Sequence, residues 1–491
     1  MQTDKRNSLW LAIQFVISFS IALAVYYLNL SLYKEKLFGA WLILASLWGM
    51  GTSLDFGFGL TIIKYVAEYN SGKKEKINEL LSSIFFVFIV LGFLVFIVMY
   101  SVAELFYFNN PYIVPADKVN LFKTVFVILG CGFIFQYLIL FIRSVFEGLN
   151  LFVITSKINL TNNFFLLAGV LLVYNLKLSM VWLSVVYLLA PFLMFLIYVT
   201  VALKKQPELK IRFANFNYDI IKQVVKYSVS VQFTSFFTSL IDPVIKYIIG
   251  NNYRADFVPV YEIARRTTVA ISGLFFAAFK IILPKASVLK NKEDYREFLM
   301  SNGAEYTKMG VVYSGFAFGL AVLPVLFLLK YIFKYEEIVP LFLMLSLAEA
   351  VNNVGYTIYM FILGIGKAYF VVLVQFINIV IISLSLIAGF ALFANPLGLL
   401  GYFLTVVMVN IMTFQFVKRQ SGIETAVFMN IIHLKKFVWL LMSIGTAIYL
   451  LLNLNADYLM VLGGLSVASA FIFRKEFIHY TKYFLSKGTA A

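Results

Sequence analysis

Two arginines, Arg265 and Arg266, stand side by side near the middle of an apolar stretch running from about Ala255 to Pro284. Glu262 lies one turn before them and Lys280 near the end of the stretch. A guanidinium that met lipid at the centre of a span would cost about 2.5–3.5 kcal/mol, and the pair about 5–7 kcal/mol, so these side chains should not face hydrocarbon. At about 100° per residue, Glu262, Arg265, Arg266, Gly273 and Lys280 fall in one stripe about 100° wide. Val269, Ile271, Phe275, Phe276, Phe279 and Ile282 lie mostly elsewhere. A helix with one cationic stripe and otherwise greasy faces belongs beside a water-filled cavity, and a cationic cavity in a membrane suits anionic cargo.

Other charged residues inside apolar runs deserve the same scrutiny. Asp242 and Lys246 are spaced i and i+4, which lets them pair with each other or lets Lys246 join the cationic lining. Pro243 follows at once and distorts the helix there. Asp55 and Glu349 are isolated acids within apolar runs. Such groups bind a coupling proton or Na⁺, or neutralise arginines. Lys64, Arg143 and Glu147 lie at span ends, where they serve topology, anchor loops or guide cargo inward. The chain has no D-x-D, H-E-x-x-H or Walker pattern, and Asp55-Phe56-Gly57-Phe58-Gly59 lacks the lysine and strand of a phosphate loop. Glycosyl transfer, metalloproteolysis and ATP hydrolysis are therefore not expected, and no metal or cofactor is called for.

The elements that must hold these residues are membrane helices. Of 491 residues, 62% are hydrophobic and 13% charged, and the mean hydropathy is +0.90. That composition is of a polytopic helical membrane protein, and Phe and Tyr cluster near span ends as interfacial rings do. The one cysteine, Cys131, lies in an apolar run, so no internal disulfide forms. The net charge of +16 raises nucleic acid as a partner. Its distribution in short runs between apolar segments instead marks membrane topology, and no nucleic acid is expected.

At about 20 residues per span, fourteen spans are legible. They are Leu9–Leu32, Phe38–Ile63, Leu80–Phe106, Leu121–Ile142, Phe152–Tyr174, Val181–Leu203, Val224–Ile249, Phe257–Leu283, Met309–Leu329, Ile338–Leu363, Tyr369–Phe393, Leu397–Val417, Phe437–Leu454 and Tyr458–Phe473. Lys5 and Arg6 before an apolar run, with Ala22-Leu23-Ala24 after it, have the look of a secretory signal. The run continues to Leu32 and is read as the first span. About 26 Lys and Arg fall on the side of the termini and about 7 on the other, which places both termini in the cytoplasm. Cytoplasmic loops are then Ser71–Asn78, Gln206–Asn217 and Lys290–Glu297, and outer loops include Asn109–Ala116 and Glu336-Glu337.

A weak repeat runs through the chain. Lys74-Glu75 through Leu81 matches Lys292-Glu293 through Leu299, and Glu147-Gly148-Leu149-Asn150 resembles Leu363-Gly364-Ile365-Gly366. The spacing of about 216–221 residues, in one membrane orientation, fits two parallel six-helix halves. The expected domains are 1–205 and 206–420, one six-helix bundle each, with two more helices and a tail in 421–491.

Some segments are familiar. Phe38-Gly39-Ala40-Trp41, Leu54-Asp55-Phe56-Gly57 and Lys64-Tyr65-Val66-Ala67-Glu68 resemble the second span of Wzx-type polysaccharide flippases, and Val260-Tyr261-Glu262-Ile263-Ala264-Arg265-Arg266 resembles their eighth. The resemblance implies the multidrug/oligosaccharidyl-lipid/polysaccharide (MOP) exporter superfamily, with two bundles around a V-shaped central cavity as in MATE transporters and MurJ. It further implies a flippase that carries an undecaprenyl-diphosphate-linked oligosaccharide, such as an O-antigen unit, across the bacterial cytoplasmic membrane by alternating access. A proton or Na⁺ gradient would drive it, and a polysaccharide polymerase and chain-length regulator would be its partners. On that reading Arg265 and Arg266 either bind the diphosphate or form ion pairs with Glu262 or another span's carboxylate. Lys280 and Lys246 extend the cationic lining, Asp55, Asp242, Glu262 and Glu349 are cavity or coupling acids, and Lys64 and Arg143 sit at the entry. The alternatives are a lipid II flippase, a multidrug cation antiporter of the same fold, and a membrane polysaccharide polymerase, for which the outer loops are short.

Overall fold

A computed structural model describes residues 2–52, 74–149, 151–207, 215–279, 291–315, 338–393 and 395–423, with single positions and short runs between them. The described residues are mostly helical, without strands. The helices are α1 (Gln2–Thr52), α2 (Lys74–Ala103), α3 (Val119–Gly148), α4 (Phe152–Asn175), α5 (Met180–Lys205), α6 (Tyr218–Ile249), α7 (Val258–Phe279), α8 (Lys292–Phe298), α9 (304–315), α10 (Ile338–Gly364), α11 (Ala368–Phe393) and α12 (Leu400–Ser421). Seven helical stretches among them are long and apolar enough to cross a membrane, and the protein is a multi-pass membrane protein. The spans read at Phe437–Leu454 and Tyr458–Phe473 lie almost wholly outside the described residues, as does Glu336-Glu337.

Helix ends extend past the apolar runs. α2 begins at Lys74, inside the stretch read as a loop. Hydropathy marks where lipid begins, whereas helical hydrogen bonding continues into the headgroup layer through good helix formers such as Lys and Glu. From Lys292 on, the stretch Lys290–Glu297, also read as a loop, is helical as part of α8. Asn291 and Asp294 close its first turn in a reciprocal capping box.

The chain forms two compact units, Met1–Pro259 and Val260–Ala491. In the first, α1 turns sharply at Lys34, whose φ of 63° is a conformation that L residues seldom adopt. The turn separates the first span from the second. Side-chain contacts then fix the direction of each neighbour. Asn163 donates to Ser18 Oγ at 2.6 Å and Tyr33 to the Leu178 carbonyl at 3.2 Å, so the first limb of α1 and α4 run parallel at constant register. Trp48 donates to the Leu129 carbonyl and Tyr137 to that of Gly51, so the second limb runs parallel to α3. Phe85 packs on Phe141 and Phe88 on Tyr137, which makes α2 and α3 antiparallel. The unit alternates up and down as short connections require. Apolar lipid provides little drive for helices to associate, so close packing and edge-to-face aromatic pairs carry much of the cohesion.

The second unit repeats the device. α9 crosses α10 with Gly310 against the Asn353 backbone, and α11 and α12 are antiparallel, with the Phe370 and Phe416 rings stacked at 3.6 Å and Gly401 against the Ser385 backbone. In the first unit Gly92 occupies the matching crossing, against the Ile134 backbone, 218 residues before Gly310. That interval is the one at which the sequence repeats.

Candidate functional site

Pro259 in the first turn of α7 is compatible with helix initiation, because the N–H it lacks would have no helical acceptor there. The next turns are buried: Val260, Tyr261, Glu262, Ile263 and Ala264 all pack inside. Exposure begins at the arginines. Arg266 donates through Nε to Glu262 Oε1, four residues back, and its side chain is 50% exposed while that of Glu262 is 4% exposed. A buried carboxylate without a counter-charge would be strongly destabilising, so this pair anchors the guanidinium at the edge of the packed region. Val269, 40% exposed, shares the face of Arg266. That face therefore carries an apolar residue where the helical wheel placed only charge and glycine.

Arg265, half-buried, acts on a different acid. Its charge reaches Glu349 of α10, a carboxyl that Asn352 and Ser272 also face. Around Glu349 the helices of the second unit bring polar groups into an otherwise apolar interior. Asn353 donates to Ser314 Oγ of α9 at 2.9 Å, and Asn410 of α12 donates to Asn352 Oδ1 at 3.5 Å and to its own helix at the Val406 carbonyl. Gly355 leaves room for the Asn410 amide. Glu349 was legible as an isolated acid, but its amide and hydroxyl neighbours were not singled out. The signal was Asn352-Asn353 three and four residues after Glu349 in an apolar run, with Asn410 in another.

In the first unit, Lys246 Nζ bonds Asp242 Oδ2 at 2.7 Å on α6, one turn apart across Pro243. The lysine side chain is 4% exposed and the aspartate 32%. Arg143 pairs with Glu147 at 2.7 Å at the end of α3. Asp55, Lys64 and Lys280 lie outside the described residues. Among the described residues no group of three or more His, Cys, Asp or Glu is placed to hold a metal ion. The chemistry this arrangement offers is charge recognition. A guanidinium has five N–H donors, enough to hold a carboxylate and a phosphate oxygen together.

The fold has solved counterparts. A MATE-family multidrug resistance transporter of the MOP superfamily, in an inward-facing conformation, superposes with TM-score 0.65 at 16% identity over 83% of this chain and 98% of that one. The lipid II flippase MurJ, inward closed, gives 0.59 at 14% over 97% and 99%. A MOP superfamily transporter from Pyrococcus furiosus, whose binding pocket is described as reversed in polarity, gives 0.51 at 15% over 91% and 96%. At these identities the likeness establishes the fold, which is the MATE- and MurJ-like one expected. No curated protein matches the chain. Residues 5–290, more than half of the chain, match the model of the polysaccharide biosynthesis protein family, and the chain belongs to that family.

Proposed function

We propose that the protein is a flippase for an undecaprenyl-diphosphate-linked oligosaccharide, of the O-antigen kind, in the bacterial cytoplasmic membrane with both termini in the cytoplasm. The observation that carries this reading is the half-exposed guanidinium of Arg266, held on α7 by the buried Glu262 within a polysaccharide-biosynthesis family chain. The diphosphate and the hydrated glycan are what a bilayer resists, whereas the polyprenyl tail stays in lipid. Arginine on a membrane helix answers the first difficulty, because its fork matches phosphate oxygens. Lys280 extends the cationic lining, Lys64 and Arg143 guide the headgroup inward, and a proton or Na⁺ gradient coupled through Asp55 or Glu349 drives the cycle, whereas Lys246, buried against Asp242, serves the fold. A polymerase and a chain-length regulator would take the product on the outer side. Translocation makes and breaks no covalent bond.

A charge-assisted hydrogen bond contributes about 1.5–3 kcal/mol, so loss of the arginine that touches phosphate should weaken cargo handling about ten- to a hundredfold. Arg265 and Arg266 replaced singly and together by Ala and by Lys, at matched membrane levels, are compared for surface polysaccharide in cells lacking their own flippase. Partial rescue by Lys and none by Ala is expected. Full activity of the double Ala variant would overturn the phosphate-binding role. Similarity to MurJ over nearly all of both chains favours lipid II as the second reading. Rescue of cells depleted of their own lipid II flippase would select it.

A further inference from the structure

We infer that the segment after α2 and the corner between α6 and α7 form an asparagine clasp, on the outer side in the topology proposed above, that opens and shuts in each transport cycle. The 218-residue interval pairs Lys34 with Asn252 and Gly39 with Phe257. The sharp turn at Lys34 and the π-helical turn Gly250–Arg254 are therefore the same corner in the two repeats. Gly39 packs against Ala255 and Pro259, which stand two residues either side of its own counterpart, so closely that a β-carbon on it would collide with the Ala255 carbonyl. Repeats related by an axis bring a residue beside its own counterpart only where that axis passes. The axis thus runs through this contact. Around it Phe38, Ile43, Phe257 and Val258 are buried, Gly250 fits against Ile43 and Ile113, and Tyr26 donates to the Pro259 carbonyl. A path along the axis is shut at this end.

What holds it shut beside this apolar contact is polar and wet. Tyr107 meets Tyr247 edge to face, with ring centroids 5.2 Å apart. Asn110 Nδ2 donates to Asn251 Oδ1 at 2.8 Å, and Asn251 Nδ2 donates to Asn252 Oδ1 at 3.3 Å. Asn109 donates to the Glu104 carbonyl at 3.1 Å, and Asn110 Oδ1 accepts from the Tyr112 N–H at 3.0 Å. Two asparagine pairs, 109–110 and 251–252, therefore meet, one just after the π-helical turn Glu104–Phe108 and the other within Gly250–Arg254. Such turns are rare and concentrate at functional positions. Asn109 and Asn252 are exposed, and Asn110 and Asn251 are partly exposed. An amide that water already reaches exchanges a protein partner for water at small net cost. A permanent tie is built differently, as where Tyr137 is buried on the Gly51 carbonyl. The clasp thus favours the shut arrangement without locking it.

The inference rests on the transport cycle proposed above, but its test needs no cargo. The full-length protein with Cys131→Ser, Tyr112→Cys and Asn252→Cys is spin-labelled at the two new cysteines in lipid nanodiscs, and the distance between labels is measured by double electron–electron resonance. A short distance and a longer one are expected, with Asn110→Ala raising the long-to-short ratio about two- to tenfold, as loss of one hydrogen bond should. A single short distance that Asn110→Ala leaves unchanged would overturn the inference. Should Asn110→Ala melt far below its parent, the doubly substituted Asn110→Asp, Asn251→Asp protein decides. Its paired carboxylates should drive the labels apart at pH 8, and protonation near pH 4 should bring them back. Labels that stay together at both pH values would equally overturn the clasp. Distances that behave as expected while surface polysaccharide is not restored would count against the flippase reading alone.

Discussion

A charge inside a membrane protein is explained by what it touches, and the two units supply contrasting cases. Glu262–Arg266 and Asp242–Lys246 are both i, i+4 pairs, a spacing visible in the sequence. In the first the acid is buried and the base half exposed, and in the second the lysine is buried and the acid a third exposed. Removing the exposed partner therefore strands the buried one. For a fully buried pair that costs about 3–5 kcal/mol, and less here because solvent already reaches Asp242. Asp242→Asn should thus lower the melting temperature of the detergent-purified protein more than Asp242→Asn with Lys246→Met, which removes both charges. A double variant as unstable as the single one would show that Lys246 is held by something other than Asp242. Spacing reveals such pairs because both members sit on one helix. It is silent about Asn352, Asn353, Ser272 and Asn410, whose meaning arises only when four helices meet.

At the scale of helices, apolar run length locates the spans because the bilayer imposes it, and the described helices follow the runs read at Phe152, Val181, Ile338 and Tyr369 within a residue or two. What escapes a hydropathy reading is backbone detail. The turn at Lys34 and the π-helical turns at Glu104–Phe108, Gly250–Arg254 and Leu299–Gly303 depend on packing rather than on composition. The glycine crossings show how one repeat diverges. A β-carbon on Gly92 would meet the Ile134 backbone at 3.5 Å, ordinary contact, whereas one on Gly310 would meet the Asn353 carbonyl oxygen at 2.8 Å. Gly310→Ala must push α9 from α10 and disturb the Asn353–Ser314 bond, so it should destabilise the protein by about 1–3 kcal/mol, while Gly92→Ala should be near neutral. Melting temperatures of the two variants test the asymmetry. A larger loss for Gly92→Ala would contradict the packing described at both crossings.

For the whole molecule, the excess of Lys and Arg assigns sides, and the helices of the first unit make that assignment testable. α2, with 30 residues, is about 45 Å long, more than the roughly 30 Å hydrocarbon core, so its two ends must emerge on opposite sides. Near its start, Ser82 and Ser83 accept from the backbone N–H groups of Arg212 and Asn217, which ties those two residues to that end. Beyond its other end, Asn110 donates to Asn251 at 2.8 Å, which gathers the 109–116 and 250–254 segments there. The positive-inside rule puts the first end in the cytoplasm. In a Cys131→Ser background, a membrane-impermeant maleimide applied to intact cells should label Tyr112→Cys and spare Lys76→Cys and Arg212→Cys until the membrane is opened. All three native positions are exposed, so a missing label would report sidedness rather than burial. The inverse pattern would keep the fold and reverse the protein in the membrane, against its basic residues. Tyr112 and Arg212 labelled from one side would contradict the packing of α2 itself, because a helix that long cannot return both ends to the same face.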